Sequence, residues 1–269
     1  MAKLSTRLRT WTWAAVALMA SWSLTGSAQG ADPKPAEPVK KPNSAVRPSP
    51  GNVRWFMRNH ASNMEKTKNQ KFQICLLGDS ITAMWPGDLL AKYCGKFQIA
   101  NFGIGGDRTE NVLWRLERGE LKGTSPKVVV LLIGTNNMGF NSAEEIAEGV
   151  AAVVQHLRTK LPTTKILLVG IFPKKDAPLE KIAATNALVA KLDDGKFVRY
   201  RDFSGPFLDK DGKIVNAMLS DAVHLTKKGY ETWGEAMAPL LAEMMASPEE
   251  KGSEAMAPEA KPVEKPSPK

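Results

Sequence analysis

The sequence contains few of the residues that bind metal ions. It has two cysteines and three histidines among 269 residues. The cysteines are far apart in the chain, and no His-Glu-x-x-His segment occurs. Zinc sites usually draw their protein ligands from closely spaced residues of these types. We therefore expect no metal site.

The two cysteines leave two interpretations open. Cys75 lies in an apolar run typical of a strand, and Cys94 ends the helical segment that follows. A helix that packs back along its strand would bring the two together, and an oxidising compartment would permit a disulfide. Cysteine is also a common small core residue, and this second interpretation is the one we favour.

Long apolar runs are also missing. Residues 11–24 form an apolar stretch, which is shorter than the roughly 20 residues that span a bilayer as a helix. Basic residues precede this stretch, and small residues near Ala28 and Gly30 follow it. This pattern is typical of a cleavable signal peptide, which we place at residues 1–30. The sequence therefore predicts an exported protein, either periplasmic or secreted.

Charge of one sign is not clustered. The net charge is +9, but three of the positive charges lie in the predicted signal peptide. The others are dispersed, without the basic runs and interleaved aromatic residues that a nucleic-acid groove usually shows. We therefore expect no nucleic-acid partner, and only a weak attraction to anionic polymers or membranes.

Pro- and Lys-rich segments flank a single predicted domain. Residues 31–51 form a linker with little to bury, and residues 247–269 have the same character, so both are expected to be extended or disordered. They could tether the domain, residues 52–246, in a cell envelope. No oligomeric state follows from the sequence.

Within this domain, strand-like and helix-like segments alternate. An amphipathic helix is predicted over about 52–68 and another over 142–161, where Ser142 and Glu145 form a capping box. The continuous apolar runs indicate strands covered on both faces, as in a doubly wound parallel α/β sheet. The five predicted strands span 72–77, 97–102, 127–134, 165–172 and 197–203.

Four polar loops follow this pattern at positions where ligands bind in such sheets. Ligands lie outside the carboxyl ends of parallel strands, where the connecting loops meet. Gly78-Asp79-Ser80 ends the first strand, "GIGGD" (103–107) the second and "GTNN" (134–137) the third. The loop "DAVHLT" (221–226) precedes the last helix. The sequence therefore predicts a site at this edge.

Ser80 has two interpretations. It could cap the helix that follows, as serine often does. It could also be a nucleophile, which requires a nearby base and a carboxylate that orients the base. The Gly-x-Ser-x-Gly segment of α/β-hydrolases is absent.

Among the histidines, only His224 suits the role of base. It lies in the last polar loop, three residues after Asp221, so a carboxylate can approach one ring nitrogen. An Asp and a His that merely cap the final helix remain the alternative. His60 and His156 lie among polar helical residues, and we expect both to be solvated.

The glycine- and asparagine-rich loops could supply an oxyanion hole. "GIGGD" offers backbone N–H groups, and "GTNN" offers a side-chain amide. The glycines could instead be hinges, or could bind phosphate. The Gly-x-Gly-x-x-Gly spacing and a Walker lysine are both absent.

The blocks "GDSIT", "NFGIGGDRTENVLWRL", "GTNN" and "DAVHLT" together resemble the SGNH (GDSL-type) serine hydrolases. The match is closest to platelet-activating-factor acetylhydrolase catalytic subunits and their bacterial relatives, and it covers about residues 55–245. The resemblance implies a flavodoxin-like three-layer sandwich with a five-stranded parallel sheet. It also implies an acyl-enzyme route without metal or cofactor. The predicted export is a difference from the cytosolic acetylhydrolases that the sequence resembles.

The resemblance also implies roles for individual residues. It implies Ser80 as nucleophile, His224 as base and Asp221 as its partner. An oxyanion hole would be formed by the N–H groups of Ser80 and Gly106 and by the Asn136 side chain. The acyl pocket would be lined by Ile81, Thr135 and Val223.

We therefore expect a short-chain esterase, most of all an acetylesterase, acting on an acylated carbohydrate or lipid. The alternatives are a non-catalytic envelope-binding module on the same fold, and a longer-chain lipase or thioesterase.

Overall fold

The computed structural model describes residues 41–51 and 54–246. The predicted signal peptide, the first part of the predicted linker and the predicted tail at 247–269 lie outside the described residues. The central feature is one five-stranded sheet with the order β2-β1-β3-β4-β5, in which every pairing is parallel. The predicted fold class is thus confirmed. The strands are β1 Ile74–Gly78, β2 Ile99–Asn101, β3 Val128–Leu132, β4 Lys165–Val169 and β5 Val198–Arg201.

Helices connect the strands and cover both faces of the sheet. The helix that begins at Ala143 has the predicted cap, because the Ser142 hydroxyl accepts from the N–H of Glu145 and the Glu145 carboxylate accepts from the N–H of Ser142. Such a cap satisfies N–H groups that have no partner within the helix. The helices are α1 Arg54–Asn69, α2 Ser80–Ala83, α3 Gly87–Cys94, α4 Thr109–Glu117, α5 Ala143–Lys160, α6 Leu179–Val189 and α7 Lys227–Met245.

The apolar core has two layers, one on each face of the sheet. Residues of α4, α5 and α6 pack on one face, and residues of α3 and α7 pack on the other. All five residues of β3 are buried, which explains its continuous apolar sequence. Cys75 belongs to the first layer and Cys94 to the second, and both are free thiols. The structure therefore favours the interpretation as separate core residues.

Part of the predicted linker belongs to the domain, and the boundary after residue 51 is wrong. A 3-10 turn, Ser44–Val46, packs against α4 and α5 with Ala45 fully buried. The Thr109 hydroxyl donates to the carbonyl oxygen of Ala45 at 2.8 Å, and the Asn111 amide donates to that of Ser49 at 2.9 Å. The prediction failed because composition alone does not indicate that one small alanine fills a gap between two helices.

No helix within 41–51 and 54–246 has the length and apolar character needed to cross a membrane.

Candidate active site

The candidate nucleophile lies where β1 joins α2. Asp79 caps α2 by accepting a hydrogen bond from the N–H of Ile81 at 2.9 Å. A Cβ atom at Gly78 would lie 2.2 Å from the carbonyl oxygen of Leu132, so only glycine fits between β1 and β3 at this point. Ser80 is the first residue of α2 and therefore stands at the carboxyl edge of the sheet.

A chain of two hydrogen bonds joins the three predicted catalytic residues. The Oγ atom of Ser80 lies 2.9 Å from Nε2 of His224. Nδ1 of the same ring lies 2.7 Å from Oδ2 of Asp221. With the ring proton on Nδ1, the carboxylate fixes the tautomer that leaves Nε2 free to accept the serine proton. The structure thus brings together residues that are 144 positions apart in the chain.

Asp221 is an exposed but firmly bound carboxylate. Its Oδ1 atom accepts hydrogen bonds from the N–H groups of Val223 and His224, each at 2.7 Å. These bonds, above all the one from the backbone of His224, hold the pKa of Asp221 well below its usual range. The carboxylate is therefore ionised at neutral pH, and it orients the imidazole although 54% of its side chain is exposed.

The predicted oxyanion donors lie on three adjacent loops. No acceptor within the described residues takes the N–H of Ser80 or of Gly106. Gly106 has φ of +80°, a left-handed conformation that favours glycine. The Asn136 side chain donates one amide hydrogen to the carbonyl oxygen of Asp107 at 2.8 Å, which leaves its second hydrogen for a ligand. The arrangement can therefore offer three donors to one oxygen.

Behind the oxyanion loop lies a buried ionic network that we did not predict. The carboxylate of Asp107 lies 2.7 Å from the guanidinium of Arg115, which also pairs with Glu120. All three side chains are buried, and Arg115 is fully buried. Burial raises the pKa of Asp107, and the nearby Arg115 opposes this rise. Since the Asp107 carbonyl holds Asn136, the network connects the protein interior to an oxyanion donor.

Two histidines are less exposed than we expected. His60 is only 8% exposed, and its Nδ1 atom lies 3.0 Å from Oε2 of Glu120, so the prediction of a solvated residue is wrong. The cause is helical periodicity, because His60 lies on the same face of α1 as the buried Phe56 and Asn63. His156 is partly buried, and this burial lowers its pKa.

The loop after β4 contributes Lys174, a residue that we did not predict at the site. Its Nζ atom lies 3.1 Å from the Asp176 carboxylate and 3.5 Å from the carbonyl oxygen of Thr135, beside the oxyanion asparagine. The N–H of Lys175 donates to the carbonyl oxygen of Ala222 at 2.8 Å, which joins this loop to the one that carries His224. The rule that placed the other loops at the carboxyl edge applies equally to β4, and it could have found this residue.

The predicted acyl pocket requires a correction. Ile81 and Thr135 are each only 1% exposed, and Ile81 packs in the same core layer as α3 and α7. In a helix that begins at Ser80, the next side chain points about 100° away from the serine, here towards the core. Neither side chain is exposed enough to line an acyl pocket. Val223 is partly exposed, and it is the one of the three that can line such a pocket.

Two cavities in the described residues lie away from the candidate active site. Their volumes are about 510 and 550 Å³, they are lined mainly by residues of α1, α4 and α5 and the segment after α4, and neither includes Ser80 or His224. The part of the chain that the structure describes holds no group of three or more His, Cys, Asp or Glu residues that could bind a metal ion.

Comparison with known proteins shows the family to which the chain belongs. Residues 76–232 match the model of the GDSL-like Lipase/Acylhydrolase family. Platelet-activating factor acetylhydrolase IB subunit alpha2 of Rattus norvegicus is 35% identical over 207 residues, which cover 75% of this chain and 90% of the relative.

Two solved structures share the fold at lower sequence identity. A GDSL-like lipase of Bacteroides thetaiotaomicron is 18% identical with a TM-score of 0.56, and the match covers 70% of this chain and 97% of that one. A carbohydrate esterase family 3 protein of Talaromyces cellulolyticus is 20% identical with a TM-score of 0.52, and the match covers 64% and 97%. The chain belongs to the GDSL-like lipase/acylhydrolase family of SGNH hydrolases and is a carboxylic ester hydrolase.

Proposed function

We propose that this protein is an exported serine esterase that removes a short acyl group, above all acetyl, from a carbohydrate or lipid. The observation that carries the proposal is the hydrogen-bond chain from Asp221 through His224 to the Oγ atom of Ser80. A serine is a weak nucleophile unless a base accepts its proton, and this chain supplies the base in the required orientation.

The first half of the reaction forms an acyl-enzyme. The Oγ atom of Ser80 attacks the ester carbonyl carbon while Nε2 of His224 accepts the hydroxyl proton. The carbonyl oxygen becomes an oxyanion, which accepts hydrogen bonds from the N–H groups of Ser80 and Gly106 and from the Asn136 amide. As the tetrahedral intermediate collapses, the bond to the alcohol breaks and His224 returns its proton to the leaving oxygen.

The second half releases the acid. A water molecule attacks the acyl-enzyme carbonyl while Nε2 of His224 accepts one of its protons. A second oxyanion forms at the same donors, and its collapse breaks the bond to Ser80, whose Oγ atom takes the proton back. Asp221 stabilises the imidazolium in both halves through its bond to Nδ1. Every step uses groups of this chain, the ester and water.

The set of residues favours an enzyme over a non-catalytic binding module on the same fold. A module that only binds its ligand does not need Asp221, His224 and Ser80 to be joined by hydrogen bonds, nor does it need Asn136 on the adjacent loop. Acetyl is the acyl group named for the rat relative. The carbohydrate esterase neighbour and the predicted export favour a carbohydrate ester, while the lipase neighbour keeps a lipid ester as the second candidate.

The direct test combines covalent labelling with hydrolysis. Wild type should react with a fluorophosphonate and hydrolyse p-nitrophenyl acetate, and Ser80→Ala should do neither. The thermal midpoint of the variant should stay close to that of wild type, since the serine lies at the sheet edge and contributes little packing. Labelling of both proteins, or of neither, would contradict the assignment. A panel of acetylated sugars and acetylated lipids would then identify the leaving group.

Export is the remaining part of the proposal. Expression of the full chain should give a protein outside the cytoplasm whose N-terminus, read by sequencing, lies near Ala28 or Gly30. A cytoplasmic protein that retains its first residue would contradict export.

A further inference from the structure

Exposed apolar side chains are concentrated near the candidate active site. Met84 directly follows α2, Phe140 follows the turn that carries Asn136, and Trp55 contacts the oxyanion loop. Large apolar groups that remain in water at one edge of a protein often mark a binding surface. Within the described residues, the exposed large hydrophobic side chains are Val46, Trp55, Met57, Met84 and Phe140.

Trp55 is held in a fixed orientation beside the oxyanion loop. Its Nε1 atom donates a hydrogen bond to the carbonyl oxygen of Gly105 at 3.2 Å, yet 49% of the residue remains exposed. A Cβ atom built on Gly105 would lie 3.9 Å from Cβ of Ser80. By these contacts and ordinary bond lengths, the indole nitrogen lies no more than about 12 Å from the Ser80 hydroxyl. One ester group and one sugar ring fit within that distance.

Phe140 stands at the other end of the same loop. The residue is 73% exposed, and the guanidinium of Arg108 lies 4.7 Å from the centre of its ring. Arg108 directly follows Asp107, whose carbonyl oxygen holds Asn136. Trp55 and Phe140 therefore flank the segment 105–108, which includes the oxyanion glycine.

The orientation of the ester determines what these rings meet. The carbonyl oxygen faces Gly106 and Asn136, and in the short-chain ester proposed above the alcohol is the larger part, which therefore extends outwards over the flanking surface. A pyranose has a face of C–H groups and an edge of hydroxyls, so it can stack on an indole while its edge stays in water. An indole whose only N–H is already bonded offers such a ligand a rigid apolar face at a low entropic cost.

We propose that the exposed face of Trp55 is a leaving-group subsite that binds the ring of an acylated sugar, with Phe140 as a second wall. The inference rests on the proposed esterase function. It names the class of alcohol that binds beside the catalytic residues, which themselves contact only the ester group.

The test compares two acetyl esters that differ in the alcohol. Glucose pentaacetate offers a sugar ring, whereas ethyl acetate reports the chemistry without one. Trp55→Ala should lower kcat/KM for the sugar ester by about tenfold, the size of a lost aromatic contact, and leave that for ethyl acetate within about twofold. Trp55→Phe should retain most of the preference. Met57→Ala is the matched control, because Met57 is 51% exposed on the same helix but bonds no catalytic loop.

Three results would overturn the subsite. An equal loss on both esters would show that Trp55 only supports Gly105. A wild type that hydrolyses ethyl acetate at least as well as the sugar ester would leave the esterase function intact but remove the subsite. Sedimentation with phosphatidylcholine vesicles that depends on Trp55, without a sugar preference, would assign the surface to lipid.

Binding keeps the inference testable even if the esterase function fails. Glucose pentaacetate should bind Ser80→Ala in calorimetry, and adding Trp55→Ala to that variant should weaken binding about tenfold. Equal binding by the single and double variants would contradict the subsite. Hydrolysis of neither ester by wild type would instead contradict the proposed function.

Discussion

Replacing Asp79 by asparagine should change how stability depends on pH. Asp79 is fully buried beneath the nucleophile, and its Oδ1 atom caps α2 through the N–H of Ile81. Burial raises the pKa of Asp79 to about 6, because the ionised form loses its hydration. An asparagine keeps the capping oxygen but cannot ionise.

The sign and size of the effect follow from this pKa. The folded protein holds a proton on Asp79 at pH values where the unfolded chain has released it, so this group's favourable contribution exists at low pH and is lost as pH rises through about 6. A rise of about two pKa units corresponds to about 3 kcal/mol when titration is complete. About 2 kcal/mol of this develops between pH 4.5 and 8.

Denaturant titration of the full chain at pH 4.5 and pH 8 measures the effect. The free energy of unfolding of Asp79→Asn, relative to wild type, should be about 2 kcal/mol more favourable at pH 8 than at pH 4.5. Any cost of burying the amide is the same at both pH values and cancels in this difference. Asp221→Asn is the control without such a change, because the pKa of Asp221 is lowered, so this carboxylate is ionised at both pH values and its removal should have nearly the same effect on stability at both.

A relative stability of Asp79→Asn that does not change with pH would refute the reasoning. It would mean that Asp79 is already ionised at pH 4.5, stabilised by the nearby charges of Lys174 and His224. A change in favour of wild type at pH 8 would contradict it more strongly, since the folded state would then prefer the charged carboxylate.

Three further predictions concern the reaction and the residues beside the nucleophile. Asn136→Ala should lower kcat by on the order of a hundredfold with little change in KM, as expected for a donor used in the transition state; a change confined to KM would contradict this role. Hydrolysis of p-nitrophenyl esters should fall from acetate through butyrate to octanoate, and Val223→Ala should raise the butyrate-to-acetate ratio. Ile81→Ala should mainly lower the thermal midpoint, because Ile81 is a core residue. A preference for octanoate would favour a longer-chain lipase or thioesterase.

The strands could be predicted because their burial leaves a clear pattern in the sequence. β3 is buried along its whole length, so its residues form an uninterrupted apolar run. The ends of the strands were predicted less accurately than their positions in the chain. We predicted a strand over 127–134, but β3 ends at Leu132. Gly134 has φ of +115° and begins the turn to Asn136, and a buried turn of this kind looks like strand in an apolar sequence.

The catalytic set was accessible to sequence reasoning for a different reason. One topological rule, that loops at the carboxyl ends of parallel strands meet, places Ser80, Asn136 and His224 at one edge of the sheet, whereas their individual roles were implied by the resemblance to SGNH hydrolases. The prediction of the acyl pocket was partly wrong, because it relied on closeness to the nucleophile in sequence and not on the direction in which each side chain points. Ile81 is adjacent to the nucleophile in the chain, but its side chain lies in the core.

The buried ionic network could not be predicted, since it depends on contacts among α1, α4 and the segment that follows α4. Arg115 on α4 meets Asp107 on one side and Glu120 on the other, and Glu120 meets His60 on α1. A charge pair buried in this way contributes little net stability compared with apolar residues of the same size, although breaking it is costly.

Its position suggests what the network contributes instead. Asp107 is held through its side chain by the interior and holds Asn136 through its carbonyl oxygen. A loop with the neighbouring glycines Gly105 and Gly106 would otherwise have many conformations, and an oxyanion hole stabilises a transition state only if its donors are already in place. The ionic pairs therefore help to hold this glycine-rich loop in the geometry that the site requires.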